Sequence, residues 1–102
     1  EMLVQAAITG VDGAIGSTYN VNGQTSKKIF ELAKEGKVAE AYELQHQAND
    51  VIEKVLELGL YQTLKEILKV KGIDAGYCKQ PMKVFDPAKV AEVEKLVKEY
   101  NL

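Results

Sequence analysis

A short glycine-rich segment constrains the fold of this chain more than any other feature. It reads "DGAIGSTYNVNG" at residues 12–23, in a chain of 102 residues whose other parts are rich in Ala, Leu, Glu and Lys. The apolar part, "GAIG" at 13–16, predicts one short buried strand. A single strand leaves its backbone N–H and C=O groups without partners. The sequence therefore predicts either that the strand pairs with another copy or that its neighbouring strands lie outside this chain.

The elements on either side of this strand indicate its architecture. Residues 2–9 predict a helix that ends at Gly10. Ser17, Thr18 and Asn20 are candidates to cap a second helix that reaches about Glu35. Alternation of helix, strand and helix is typical of a parallel α/β sheet. In a barrel of that class the carboxyl end of each strand faces the active site, so residues 16–18 are predicted to lie at the catalytic rim.

Three further helices are predicted in the remainder of the chain. Apolar side chains recur at spacings of three and four residues from Val38 to Gly59, which indicates a long helix, and Gly59 then allows a bend. A shorter helix ends at Gly72, and Gly and Pro residues predict a loop at 73–85. The last helix begins at the Asp-Pro pair at 86–87. Its predicted apolar face consists of Val90, Val93, Val97 and Tyr100.

The chain opens inside the first helical pattern. It begins at Glu1 rather than Met, and no capping residue precedes the apolar residues of that pattern. We therefore expect these residues to be part of a longer protein.

The composition argues against two classes of partner. The chain carries 13 basic and 15 acidic residues, so no basic patch indicates nucleic-acid binding. Its unbroken apolar runs are far shorter than a membrane span, so no membrane association is predicted. The only cysteine, Cys78, excludes an internal disulfide and fits a reducing compartment, so we predict a cytoplasmic protein.

Three stretches of the sequence resemble bacterial N-acetylneuraminate lyases. "GVDGAIGSTYNVNG" is similar to the last barrel strand and following helix of that family. "LQHQANDVIEKVLELGLYQTLKEIL" and "GIDAGYCKQPM" resemble its C-terminal helical extension. The wider pyruvate-dependent class I aldolase superfamily shares the fold, but "GSTYN" at this strand end marks the sialic acid lyases. The resemblance covers essentially the whole chain.

The resemblance implies that the chain is the C-terminal portion of a (β/α)8 TIM barrel. Residues 1–36 would be the end of the barrel, with a helix, the last strand and the last helix. Residues 37–102 would be the three-helix C-terminal extension. The other seven strands would precede Glu1, which accounts for the lone predicted strand. The isolated chain is expected to be mainly α-helical.

The resemblance also implies an activity whose catalytic residues lie elsewhere. The family cleaves N-acetylneuraminate reversibly to pyruvate and N-acetylmannosamine, needs no metal or organic cofactor, and usually forms a homo-oligomer. Its Schiff-base lysine and assisting tyrosine belong to strands outside this chain. A Schiff-base lysine must be desolvated or lie beside a cation, whereas the lysines here are interleaved with Glu and other polar residues on predicted helix surfaces. We predict that the chain alone is inactive.

Two residues are candidates for substrate binding. From its position alone, the Ser17 hydroxyl could either cap the following helix or bind a substrate hydroxyl. The resemblance favours contact with the polyol tail of the sugar. Glu1 matches the acidic residue that ends a Gly-x-Asp-Glu run in the family, and its carboxylate would accept hydrogen bonds from the outer hydroxyls of the glycerol side chain.

The remaining chemically active residues have structural interpretations. His46 has no Cys and no second His at metal-ligand spacing, so we expect a surface or helix-packing residue and no metal site. Cys78 has no histidine nearby in sequence and is predicted to be a packed thiol rather than a nucleophile. Tyr19, Tyr61 and Tyr77 could face an active site or pack in a core.

A different class of function stays open at the level of sequence. The apolar stripe from Val38 to Gly59 could dock on a barrel, but it could equally serve an autonomous helical module for interaction or oligomerisation. The glycine-rich segment at 13–16 discriminates between the two, because a purely helical module has no use for it. We therefore favour the lyase interpretation.

Overall fold

The computed structural model describes residues 1–102, and its regular structure is entirely helical. Five α-helices follow one another as α1 (Leu3–Thr9), α2 (Tyr19–Lys34), α3 (Val38–Leu58), α4 (Leu60–Val70) and α5 (Val90–Tyr100), with a 3-10 turn at Pro87–Lys89 before α5. This confirms the mainly α-helical fold expected for the isolated chain. No helix combines the length and the apolar character that crossing a bilayer requires.

The prediction of a strand at residues 13–16 is wrong for this chain. These residues have no regular structure, and the side chain of Ile15 is fully exposed. A strand forms only when its backbone groups pair with a neighbouring strand, and the chain supplies none. The segment instead connects α1 to α2 with its apolar side chain in solvent.

Glycines with positive φ angles separate the helices where the sequence predicts. Gly10 ends α1 with φ of 99°, and its N–H bonds back to the last turn of that helix. Gly59, with φ of 100°, separates α3 from α4, and Gly72, with φ of 87°, follows α4. Residues other than glycine rarely adopt such φ angles, so these glycines mark the helix ends.

Residues 1–52 form one compact unit around a core shared by three helices. The core consists of Leu3, Val4 and Ala7 of α1, Ile29 and Ala33 of α2, and Ala41 and Ala48 of α3. Val4 and Ile29 are completely buried. Full burial of one such side chain contributes about 1.5–3 kcal/mol to folding.

A buried glutamine in this unit holds the start of α1. The Oε1 atom of Gln45 accepts hydrogen bonds from the backbone N–H groups of Leu3 and Val4, at 3.0 and 3.2 Å. Its Nε2 atom donates to Oδ1 of Asn49 at 2.9 Å. No side chain at Met2 caps the helix, so Gln45 satisfies two of the four N–H groups that every helix start leaves unpaired.

Residues 53–102 form a second compact unit. Its buried side chains are Val55, Thr63, Leu64, Ile67, Val93 and Leu96. The predicted face of the last helix is correct at Val93 but omits Leu96, while Val97 is only partly buried. As predicted, Asp86 is a cap, and it caps the 3-10 turn that lies just before α5. Its Oδ1 atom accepts a hydrogen bond from the N–H of Ala88 at 3.0 Å.

Candidate functional site

The segment from Gly16 to Asn20 connects the irregular residues to α2 through a series of turns. The N–H of Tyr19 donates to the carbonyl of Gly16 at 3.2 Å, and the N–H of Asn20 donates to the carbonyl of Ser17 at 3.3 Å. The N–H groups of the next two residues bond to the carbonyl of Thr18. Helical hydrogen bonding therefore begins at Gly16, before the first regular residue of α2.

The Ser17 side chain is exposed, and its hydroxyl makes no hydrogen bond within the chain. Thr18 occupies the cap position of α2 but likewise makes no side-chain cap bond. The capping alternative for Ser17 is therefore wrong. The hydroxyl remains available to a ligand, as a substrate-binding role requires, and that role stays a prediction.

The first turn of α2 is irregular just beyond this site. Asn22 has φ of −124° and ψ of 30°, outside the helical region, and lies next to Gly23. The hydroxyl of Ser26 donates to the carbonyl of Asn22 at 2.9 Å, and both residues are buried. The carbonyl at the irregular turn is thus satisfied by a buried side chain of the same helix.

Glu1 is exposed and immediately precedes the turn that starts α1. It forms no ion pair, and no hydrogen bond joins it to Ser17. A shallow cavity of about 240 Å³ in the same unit is lined by neither residue. The structure therefore does not assemble these two predicted binding residues into one enclosed site, and the role of Glu1 stays a prediction.

Two lysines make hydrogen bonds to neighbouring oxygen atoms. Lys37 has its pKa raised by a hydrogen bond from its ammonium to the Glu35 carboxylate and by the charge of that carboxylate, which is the opposite of what an amine nucleophile needs. Lys65 departs from the predicted solvated surface, because it is half-buried and its Nζ atom donates to the carbonyl of Ala75 at 2.6 Å. In this bond the Lys65 side chain is a donor to the backbone.

Most of the other chemically active side chains lie at the surface. His46 is exposed on α3 with its ring 6.3 Å from that of Tyr42, as the sequence predicts for a surface residue. No group of three or more His, Cys, Asp or Glu side chains is arranged to hold a metal ion. Tyr61 and Tyr77 are exposed, while Tyr19 is partly buried against the core of its unit.

A cleft in residues 53–102 is the feature that sequence reasoning missed. It encloses about 420 Å³ between α4, the segment 74–85 and the start of α5. Cys78 is partly exposed and lines this cleft together with Lys65, Lys69 and Phe85. Glycine and proline in the sequence predicted a loop there, but the return of that loop along α4 depends on contacts between residues distant in sequence.

Comparison with known proteins extends over nearly the whole chain. The Dihydrodipicolinate synthetase family matches residues 1–100. The N-acetylneuraminate lyase from Fusobacterium nucleatum is 55% identical over 97% of this chain, with a TM-score of 0.91. The same lyase complexed with pyruvate gives 55% identity over the same share and a TM-score of 0.90. CdNal from Clostridium difficile, solved in complex with mannosamine, gives 47% identity over 97% of the chain and a TM-score of 0.92.

These matches also give the share of each relative's length that the chain covers. The chain spans 34% of the length of each of these solved proteins. They confirm that its sequence and helices resemble the C-terminal part of TIM-barrel N-acetylneuraminate lyases. On the match across residues 1–100, the chain belongs to the Dihydrodipicolinate synthetase family.

Proposed function

We propose that this chain is the C-terminal part of an N-acetylneuraminate lyase. The single observation that carries the proposal is the 55% identity to the Fusobacterium nucleatum lyase over 97% of the chain. In this proposal residues 1–36 complete the barrel and residues 37–102 form the helical extension. The exposed Ile15 supports it, because an exposed apolar side chain is suited to pack against the rest of a barrel.

The proposed reaction is the reversible aldol cleavage of N-acetylneuraminate to pyruvate and N-acetylmannosamine. In the related family a lysine amine condenses with the ketone carbon and releases water. When the C–C bond breaks, the resulting Schiff base accepts the electron pair, and the assisting tyrosine takes the proton of the hydroxyl that becomes the aldehyde. The relatives solved with pyruvate and with mannosamine support substrates of these two kinds. The lysine that reacts would lie outside this chain, and the proposal includes no metal or organic cofactor.

Within this reaction the chain would contribute substrate binding. The Ser17 hydroxyl, free of internal hydrogen bonds, would bond to the polyol tail of the sugar. The Glu1 carboxylate would accept hydrogen bonds from the outermost hydroxyls of that tail. Both side chains are exposed, so neither must break an internal contact before binding. We further propose a homo-oligomer, from the family resemblance, and a cytoplasmic location, which the single thiol fits.

The alternative is an autonomous helical module for interaction, and it is the less favoured proposal. Exposed apolar residues such as Met2, Ile8 and Ile15 could serve either a partner chain or the missing barrel. The identity to the lyases, however, covers 97% of the chain rather than its helical extension alone. An interaction module would have no need to retain a glycine-rich connection of barrel type.

The proposal is tested by placing the chain in a complete barrel. The 102 residues would replace the corresponding C-terminal third of the Fusobacterium nucleatum lyase. We expect this chimera to cleave N-acetylneuraminate and to trap pyruvate covalently when borohydride is added. A folded chimera that traps pyruvate but cleaves no N-acetylneuraminate, at any substrate concentration, would refute the proposed function.

Two companion measurements separate binding from chemistry. The chain alone should trap no pyruvate, and a borohydride adduct on any of its lysines would contradict the absence of a catalytic lysine. In the chimera, Ser17→Ala should slow N-acetylneuraminate cleavage while pyruvate trapping stays normal, because one hydrogen bond to a neutral hydroxyl is worth about 0.5–1.5 kcal/mol. If trapping and cleavage fall together, Ser17 has a structural role. His46→Ala serves as the control variant, since this exposed side chain is remote in sequence from the site.

A further inference from the structure

We infer that Asn20 is a positioning residue that fixes the backbone of Ser17 and thereby sets the place from which the Ser17 hydroxyl reaches the polyol tail of the substrate. The inference rests on the proposed function and adds a residue to the same site. Neither the glycine-rich motif nor the family resemblance assigned Asn20 anything beyond a candidate helix cap.

The carbonyl of Ser17 accepts two hydrogen bonds from this one residue. The side-chain Nδ2 atom of Asn20 donates to it at 2.9 Å, and the backbone N–H of Asn20 donates to it at 3.3 Å. A carbonyl oxygen has two lone pairs, so the two donors occupy both of its acceptor positions. The peptide plane that follows Ser17 is therefore held from two directions.

The peptide that precedes Ser17 is confined by a packed ring. A Cβ atom placed on Gly16 would lie 3.3 Å from the ring of Tyr19, so this ring lies directly over the glycine backbone. Tyr19 itself packs against the core of residues 1–52. Ser17 is thus fixed on one side by an aromatic ring and on the other by the Asn20 amide, while its own hydroxyl has no partner.

The chemistry of the contact requires an N–H donor. Asp at position 20 has nearly the shape of Asn but presents a carboxylate oxygen, which is repelled by the Ser17 carbonyl. Ser at the same position can still donate, because serine hydroxyls bond to backbone carbonyls three or four residues earlier. Asp and Ser variants therefore distinguish the hydrogen bond from the volume of the side chain.

A direct contact between Asn20 and substrate is the competing explanation, since Asn20 is exposed. The two explanations differ in how the effects of two mutations combine. If Asn20 acts through Ser17, removing it matters only while the Ser17 hydroxyl is present. If Asn20 binds substrate itself, its loss multiplies with the loss of Ser17.

The test uses the chimera described above and the cleavage of N-acetylneuraminate. We expect Asn20→Ala and Asn20→Asp each to lower kcat/KM about two- to tenfold, the value of one hydrogen bond, with Asn20→Ser recovering part of the loss. The double variant Ser17→Ala with Asn20→Ala should equal Ser17→Ala alone. Pyruvate trapping, and cleavage of an aldol substrate that lacks the glycerol tail, should be unchanged.

Several results would overturn the inference while leaving the proposed function intact. These are a double variant whose loss is the product of the two single losses, an Asn20→Asp variant as active as the parent, or an equal loss on the substrate without the tail. A parent chimera that traps pyruvate but cleaves no N-acetylneuraminate refutes the proposed function, and the inference falls with it.

A second measurement keeps the inference testable if a variant of the chimera does not fold. In the full 102-residue chain, the side-chain amide protons of Asn20 should exchange with solvent more slowly than those of the exposed Gln47, as measured by NMR. Exchange at the same rate for both side chains would show that the bond to Ser17 is not maintained and would contradict the inference.

Discussion

Replacement of Gln45 should destabilise residues 1–52 far more than replacement of an exposed polar residue would. Gln45 is only 4% exposed, and its Oε1 atom accepts from the N–H groups of Leu3 and Val4. These two amides belong to buried residues at the first turn of α1. Removal of the acceptor leaves both N–H groups without a partner inside the protein.

The magnitude follows from the two lost hydrogen bonds to α1 and the volume removed, since the third bond, to Asn49, is only partly buried. Each hydrogen bond contributes about 0.5–1.5 kcal/mol, and each methylene removed from a buried position about 0.8 kcal/mol. Gln45→Ala is therefore expected to lower the free energy of unfolding by about 2–4 kcal/mol. Gln45→Met retains most of the volume and should cost about 1–3 kcal/mol, from the unpaired N–H groups alone.

Urea denaturation followed by circular dichroism measures both variants, and hydrogen exchange gives a local signal. The amides of Leu3 and Val4 should exchange faster in Gln45→Met than in the parent chain. The matched control is Gln47→Ala, because Gln47 is exposed on the same helix and should change stability by no more than about 0.5 kcal/mol.

The reasoning would be refuted by a Gln45→Met variant as stable as the parent with unchanged amide exchange at α1. That result would mean that the N–H groups find other partners and that α1 is held by its apolar contacts alone. A uniform loss across Gln45→Met and Gln47→Ala would also refute it, since only the first removes a buried acceptor.

Three further predictions concern a bend, a cap and an exposed charge pair. Gly59→Ala should lower the free energy of unfolding by about 1–2 kcal/mol in urea denaturation, because φ of 100° is strained for alanine and the added methyl would meet the Gln62 side chain. Asp86→Ala should cost about 1 kcal/mol by the same measurement, because the turn before α5 loses its cap. Glu35→Gln should lower the pKa of Lys37 in an NMR titration, because the Glu35 carboxylate raises it. The pair stabilises the fold only while Lys37 is charged, so any difference in stability between the parent and this variant should vanish at strongly alkaline pH.

Local sequence signals account for most of the helix boundaries. Glycines with positive φ end or separate helices at Gly10, Gly59 and Gly72, and the Asp-Pro pair starts the last helical segment. These signals depend on the conformational preferences of single residues and of their immediate neighbours. For that reason they could be predicted without knowledge of any tertiary contact.

The candidate site was predicted only in part. The glycine-rich motif and its resemblance to the lyases singled out Ser17, yet the same sequence allowed its hydroxyl to cap α2. Only the structure excludes the capping role, because it shows that the hydroxyl has no hydrogen-bond partner within the chain. Asn20 was proposed as a cap because Asn favours helix starts; its bond to the Ser17 carbonyl became visible only in three dimensions.

The sequence by itself determined the number of helices, their ends and the family to which the chain belongs, because these depend on local patterns and on motif identity. Only the tertiary structure decided that residues 13–16 form no strand and that Gln45, 41 and 42 residues away from its partners, holds the start of α1. A strand needs neighbours, and a buried polar side chain needs partners. The sequence pattern of a segment does not reveal whether distant residues supply them.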